Sequence, residues 1–206
     1  MAIIHSTTLT PGKLELLAQW LPDQPWYRGV RTPVLAKAGG FRLDDPAGEV
    51  GIELMIVADA VGDRYLVPMT YRGAPMDRDD ALLGTAEHGV LGRRWIYDAA
   101  RDPVAVEQML ALAGGQVEAQ HQNVSNTVDS SVRPSLSLRD QVRARRPLSA
   151  VDTVTGTAVA LEPEALALHI VRVLTDETVP EGRVVAAVEA EVPELGRRPV
   201  LMVMSS

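Results

Sequence analysis

Cysteine is absent from the 206 residues, which excludes disulfides, thiolate metal sites and cysteine nucleophiles together. Aromatic residues make up only 4%, with Phe41 the single phenylalanine, so a core must be packed by the Ala, Val and Leu behind the 46% hydrophobic fraction. No apolar run approaches the roughly 18 residues that span a bilayer, and the first thirty residues lack the charged start and apolar run of a secretory leader. The charge balance is acidic, −7 at neutral pH, whereas binding to phosphate backbones needs clustered Lys and Arg. The composition therefore predicts a cytoplasmic protein with no membrane and no nucleic-acid partner. The length suits one compact domain or two small ones.

Sequence signatures of common chemistry are also missing. Neither the phosphate-loop pattern nor the dinucleotide fingerprint occurs, and a protein-kinase-like catalytic loop, an Asp followed by Asn, has no counterpart: Asn123 and Asn126 are the only asparagines. Gly-x-Ser-x-Gly is absent, so Ser125 beside His121 reads as a surface loop rather than a nucleophile and its base. His5, His88, His121 and His169 are far apart in the chain and form no ligand pair. Asp79 and Asp80 read as a solvated turn, and Glu189, Glu191 and Glu194 as an exposed strand face. No catalytic, metal or cofactor residue is assigned.

What is present reads as alternating elements. Thr10 is placed as a cap and Pro11 at the first position of a helix carrying Leu14, Leu17, Ala18 and Leu21, which Pro22 ends. Segments 35–43, 50–59 and 64–71 are strand-like and joined by turn-forming residues. Within them, Gly39-Gly40 predicts a bulge, and Pro68, which has no N–H to donate, predicts an edge or a bulge. Residues 82–97 read as one or two short strands interrupted by glycine, and Asp102-Pro103 opens a second helix that Gly114-Gly115 stops. From 116 to 148 the composition turns polar, and this segment is taken as a linker. Beyond it, 153–161, 183–192 and 199–204 read as strands, while 164–174 fits strand or helix, with strand preferred.

The expected fold is α+β, a curved antiparallel sheet with packed helices followed by a second antiparallel region. Its divisions are 1–115, the polar linker 116–148 and a β-rich part 149–206. Two side-chain clusters are the candidate interface or ligand surfaces: Trp20, Trp26 and Tyr27 near the first helix, and Glu87, His88, Arg93, Arg94 and Trp95 around a glycine-punctuated turn. For the tryptophans, packing under the first helix is preferred over a protein interface, and an interface over sugar stacking. If Arg93 and Arg94 straddle a strand, one of them faces the core and Glu87 is its candidate partner.

The ordered series of a short apolar helix, the turn of residues 22–29, Tyr65-x-Val67-Pro68, Asp98 and Asp102-Pro103 resembles the N-terminal cap of maltokinases over about 14–112, with Gln24 and Tyr27 as departures. The resemblance implies a curved antiparallel sheet with packed helices and carries no catalytic residue across. Without a kinase motif, it implies a free-standing, non-catalytic cap-like protein that binds or regulates a partner, such as a carbohydrate-active enzyme or kinase, in maltose, trehalose or glycogen metabolism. A homo-oligomer is a further expectation. The alternative is a small-molecule or sugar-binding protein, or an enzyme, with its site on the concave sheet face.

Overall fold

A computed structural model describes residues 8–124, 126–136, 145–162, 166–174, 183–192 and 195–205. Two antiparallel sheets dominate it, and the only α-helices among these residues are two short ones, so the molecule is mainly β and the α+β expectation holds only approximately. The elements in chain order are β1 (Leu9–Thr10), α1 (Lys13–Trp20), β2 (Ala36–Leu43), β3 (Gly51–Ala58), β4 (Arg64–Arg72), β5 (Leu82–His88), β6 (Gly92–Asp98) and α2 (Pro103–Ala113). They continue as β7 (Gln120–His121), β8 (Val132–Leu136), β9 (Arg146–Asp152), β10 (Gly156–Glu162), β11 (Ala167–Val171), β12 (Val184–Ala190) and β13 (Val200–Ser205). The first sheet runs β1-β5-β6-β4-β3-β2-β7 and the second β8-β12-β13-β11-β10-β9.

Local chemistry accounts for most boundaries. The cap of α1 is Gly12, not Thr10: Glu15 reaches back to the Gly12 N–H at 2.7 Å and occupies an otherwise orphan donor. At α2, Asp102 Oδ1 accepts from the Val104 N–H at 3.1 Å with Pro103 at the first helical position, and Gly114 follows the last turn. Gly39 and Gly40 adopt φ of 155° and 130°, and the β2–β3 register shifts between Lys37 and Gly39, so the glycine pair forms the expected bulge.

Pro68 explains how β4 serves both sheets. The Leu66 N–H points away from β3 and donates to the Arg172 carbonyl, and the Tyr65–Val173 bridge lies beside it. From Met69 onward the same edge of β4 pairs with β6 instead. Pro68, two residues after Leu66, falls where the partner changes, and its missing N–H leaves no broken bond there.

The segment 116–148, expected as a linker, contributes β7 to the first sheet, β8 to the second and the start of β9, and it buries Ala119 and Val132. Residues 167–171 form a strand, as preferred. His5, Ser125, Glu194 and residues 137–144 and 175–182 lie outside the described residues.

Both faces of the first sheet are covered, which explains why β3 is buried from Ile52 to Ala58 without a polar alternation. On one face, Leu16, Leu17, Leu21 and Trp26 pack on Met55, Val57, Val67 and Met69. On the other, Phe41, Leu54, Ile56 and Leu66 share one apolar cluster with α2 and with Leu168, Ile170, Met202 and Met204 of the second sheet.

Candidate functional site

The two clusters read from the sequence have different fates. Trp26 is fully buried and so is removed from any surface. Its ring centroid lies 5.7 Å from Trp20 and 6.2 Å from Tyr65, and the Arg172 guanidinium sits 5.1 Å from it on the opposite half of the molecule. Trp20 and Tyr27 are half-buried, with Tyr27 tilted against Tyr65 at 5.1 Å. Burial raises the phenol pKa of both tyrosines, and the carboxylates of Asp59 and Asp63 add to the rise, since phenolate would meet negative charge. These phenols stay protonated, and the Tyr65 hydroxyl lies 3.4 Å from an oxygen of each aspartate.

The second cluster closes the β5–β6 hairpin. Glu87 and Arg93 are cross-strand partners joined at 2.9 Å, but the pair is exposed, which corrects the expectation of a core-facing arginine held by Glu87. His88 Nδ1 accepts from the Val90 and Leu91 N–H groups at 3.3 and 3.1 Å, Arg94 donates to the Leu91 carbonyl, and Trp95 is half-buried. These residues lie on the two strands that flank the β5–β6 turn.

Two polar centres went unread in the sequence. Glu53, almost wholly buried, accepts from Lys13 Nζ, the Tyr71 hydroxyl and Gln122 Nε2, each at 2.6 Å. Burial alone would raise its pKa, but Lys13, Tyr71 and Gln122 together outweigh it and hold the carboxyl below its ordinary value. The second centre joins the sheets: Arg172, wholly buried, bonds both carboxylate oxygens of Asp98 at 2.6 and 2.7 Å and Thr157 Oγ1 at 2.9 Å. Arg101 bridges Asp98 at 2.8 Å and Asp152 at 2.6 Å. The signal for both was a lone charge in an apolar run, Glu53 within Gly51–Ala58 and Arg172 between Val171 and Val173.

Each of these carboxylates accepts from donors of its own chain, so the arrangement ties elements together. Among the described residues no group of three or more His, Asp or Glu is placed to hold a metal, and no helix is long and apolar enough to cross a membrane. His121 Nδ1 accepts from the Asn123 N–H, and His169 Nε2 lies 3.0 Å from Ser205 Oγ.

The fold and its polar centres thus define a two-sheet β protein in which a helix-covered first sheet is locked to a second by buried charge pairs. Residues 20–102, from the last residue of α1 to the cap of α2, match the maltokinase N-terminal cap domain, and this segment, less than half of the chain, is cap-like as its motifs implied. No curated protein matches the chain.

Proposed function

We propose that this chain is a non-catalytic, cap-like cytoplasmic protein that binds or regulates a protein partner of maltose, trehalose or glycogen metabolism. The match of residues 20–102 to the maltokinase cap carries this reading. The inward use of Glu53, Asp98 and Asp152 supports it, because a general base has to be within reach of a substrate proton. In this reading the cap-like part, 1–115, provides the binding surface and the β-rich part, 149–206, braces it through Arg172.

Calorimetry and coupled ADP detection test the proposal. The purified chain is expected to show no saturable ATP binding and no maltose-dependent ADP release, and to bind a purified full-length maltokinase. ATP turnover by the chain alone, or no association with the kinase, overturns it.

A further inference from the structure

We infer that Lys37 is an acylation site: its exposed amine accepts acyl groups from activated donors of the acyl phosphate class, whereas Lys13, the other lysine, is held out of this chemistry. The inference is independent of the partner-binding reading.

Of the 20 Lys and Arg residues only Lys13 and Lys37 are lysines, so only these two side chains carry an amine. A guanidinium keeps its proton and is no nucleophile. The fold treats the two amines oppositely. Lys13 Nζ bonds the buried Glu53 carboxylate at 2.6 Å and lies 5.5 Å from the centre of the Tyr71 ring, and losing its proton would leave a buried carboxylate without its cation. Lys13 is thereby fixed as an ammonium.

Lys37 stands on β2 opposite Val57 of β3, and its side chain is exposed. Its Nζ donates to the Asn123 side-chain carbonyl oxygen at 3.3 Å. That acceptor is neutral and the bond long, so it positions the nitrogen without stabilising the charged form as a carboxylate would. The surroundings favour the uncharged amine, whose lone pair reacts. The fold around Nζ strips away part of its water, which lowers its pKa; Glu53 opposes this but is already paired with Lys13, whose own charge adds to the lowering. Partial desolvation beside a second cation is a general way to activate a lysine.

The step is a substitution at carbonyl carbon. The Nζ lone pair forms the C–N bond, the C–O bond to phosphate breaks, inorganic phosphate leaves and the surplus proton of the amine passes to water. A reducing sugar fits less well, because imine closure needs an acid to expel water, and among the described residues the side-chain partner of Nζ is the Asn123 amide. Acylation removes the charge of Lys37 and leaves Lys13 as the one lysine cation acting on Glu53.

The test treats wild type, Lys37→Arg and Asn123→Asp with acetyl phosphate at mildly alkaline pH, natively and in urea, and maps the products by mass spectrometry after trypsin. Cleavage at arginine separates acetylated Lys37, in fragment 32–42, from acetylated Lys13, in fragment 1–28. In the native chain Lys37 should react about tenfold faster than Lys13, and in urea the two should react alike. Asn123→Asp should slow Lys37 by about fivefold, since the new carboxylate pairs with the ammonium, and Lys37→Arg should leave no fast site. Native Lys13 reacting as fast as Lys37, or a Lys37 rate that Asn123→Asp leaves unchanged, overturns the inference. If Asn123→Asp melts early, the wild-type comparison of the two lysines decides alone.

Discussion

Trp26 shows what one residue carries in a core so short of rings. It contacts α1 through Trp20, β4 through Tyr65 and the second sheet through Arg172, and none of its surface is exposed. Trp26→Ala should cost about 3–5 kcal/mol, since it removes the largest buried side chain and leaves a cavity that three elements line. Among the described residues the buried indole N–H has no hydrogen-bond partner, so Trp26→Phe, which keeps a ring, should be distinctly milder. Trp20→Ala should fall between the two because Trp20 is only half-buried. Urea midpoints of the three variants check the order, and an unchanged midpoint for Trp26→Ala would overturn the packing role.

Among elements, Glu53 is the joint that holds α1, β4 and the residue following β7 to β3 through Lys13, Tyr71 and Gln122. Its folded pKa is depressed, as are those of Asp45, held against burial by the N–H groups of Ala47, Val50 and Glu49, and of Asp152, held by Thr157 and Arg101. A depressed folded pKa contributes stability that is complete above the unfolded carboxylate value, about 4, and is lost as pH falls through the folded value. These carboxylates should therefore leave stability level down to about pH 4 and make it decline below, while His169, whose imidazole pKa burial lowers, adds a separate loss as pH falls below the ordinary histidine value of about 6.5. Glu53→Gln should lower the plateau and flatten the decline, because the variant has no proton left to take up at this site. Denaturant midpoints from pH 3 to 7 measure both effects, and an equally steep acid limb in the variant would show that Glu53 is not a source of it.

At the scale of the molecule the two sheets share one apolar cluster, the Tyr65–Val173 bridge and the Arg172–Asp98–Arg101–Asp152 charge pairs. Removing either sheet would expose the apolar face of the other and strand a buried charge, a penalty of several kcal/mol. Thermal unfolding should accordingly be a single transition, with calorimetric and van't Hoff enthalpies equal. Two separated transitions would instead mean that the cap-like part and the β-rich part fold independently.

Local chemistry in the sequence determined the pieces. Asp102-Pro103 set the start of α2, Gly39-Gly40 the bulge, and the apolar runs of 50–59 and 64–71 their strands, because capping, left-handed backbone and β-branched packing each depend on a few adjacent residues. The ordered motifs read over about 14–112 also identified the cap-like segment, within which residues 20–102 match the family. Short strands such as β7 and β8 were illegible, since pairs like Gln120–His121 become strands only when β2 offers an edge. Only tertiary structure decided that Glu53 and Arg172 are buried, for their partners lie 40 and 74 residues away in Lys13 and Asp98 and no local pattern encodes that distance. It also decided which apolar residues stay outside: Val34 and Val61 are chemically the same as Val57 and Val67, and the fold alone turns the first pair to solvent and the second to the core.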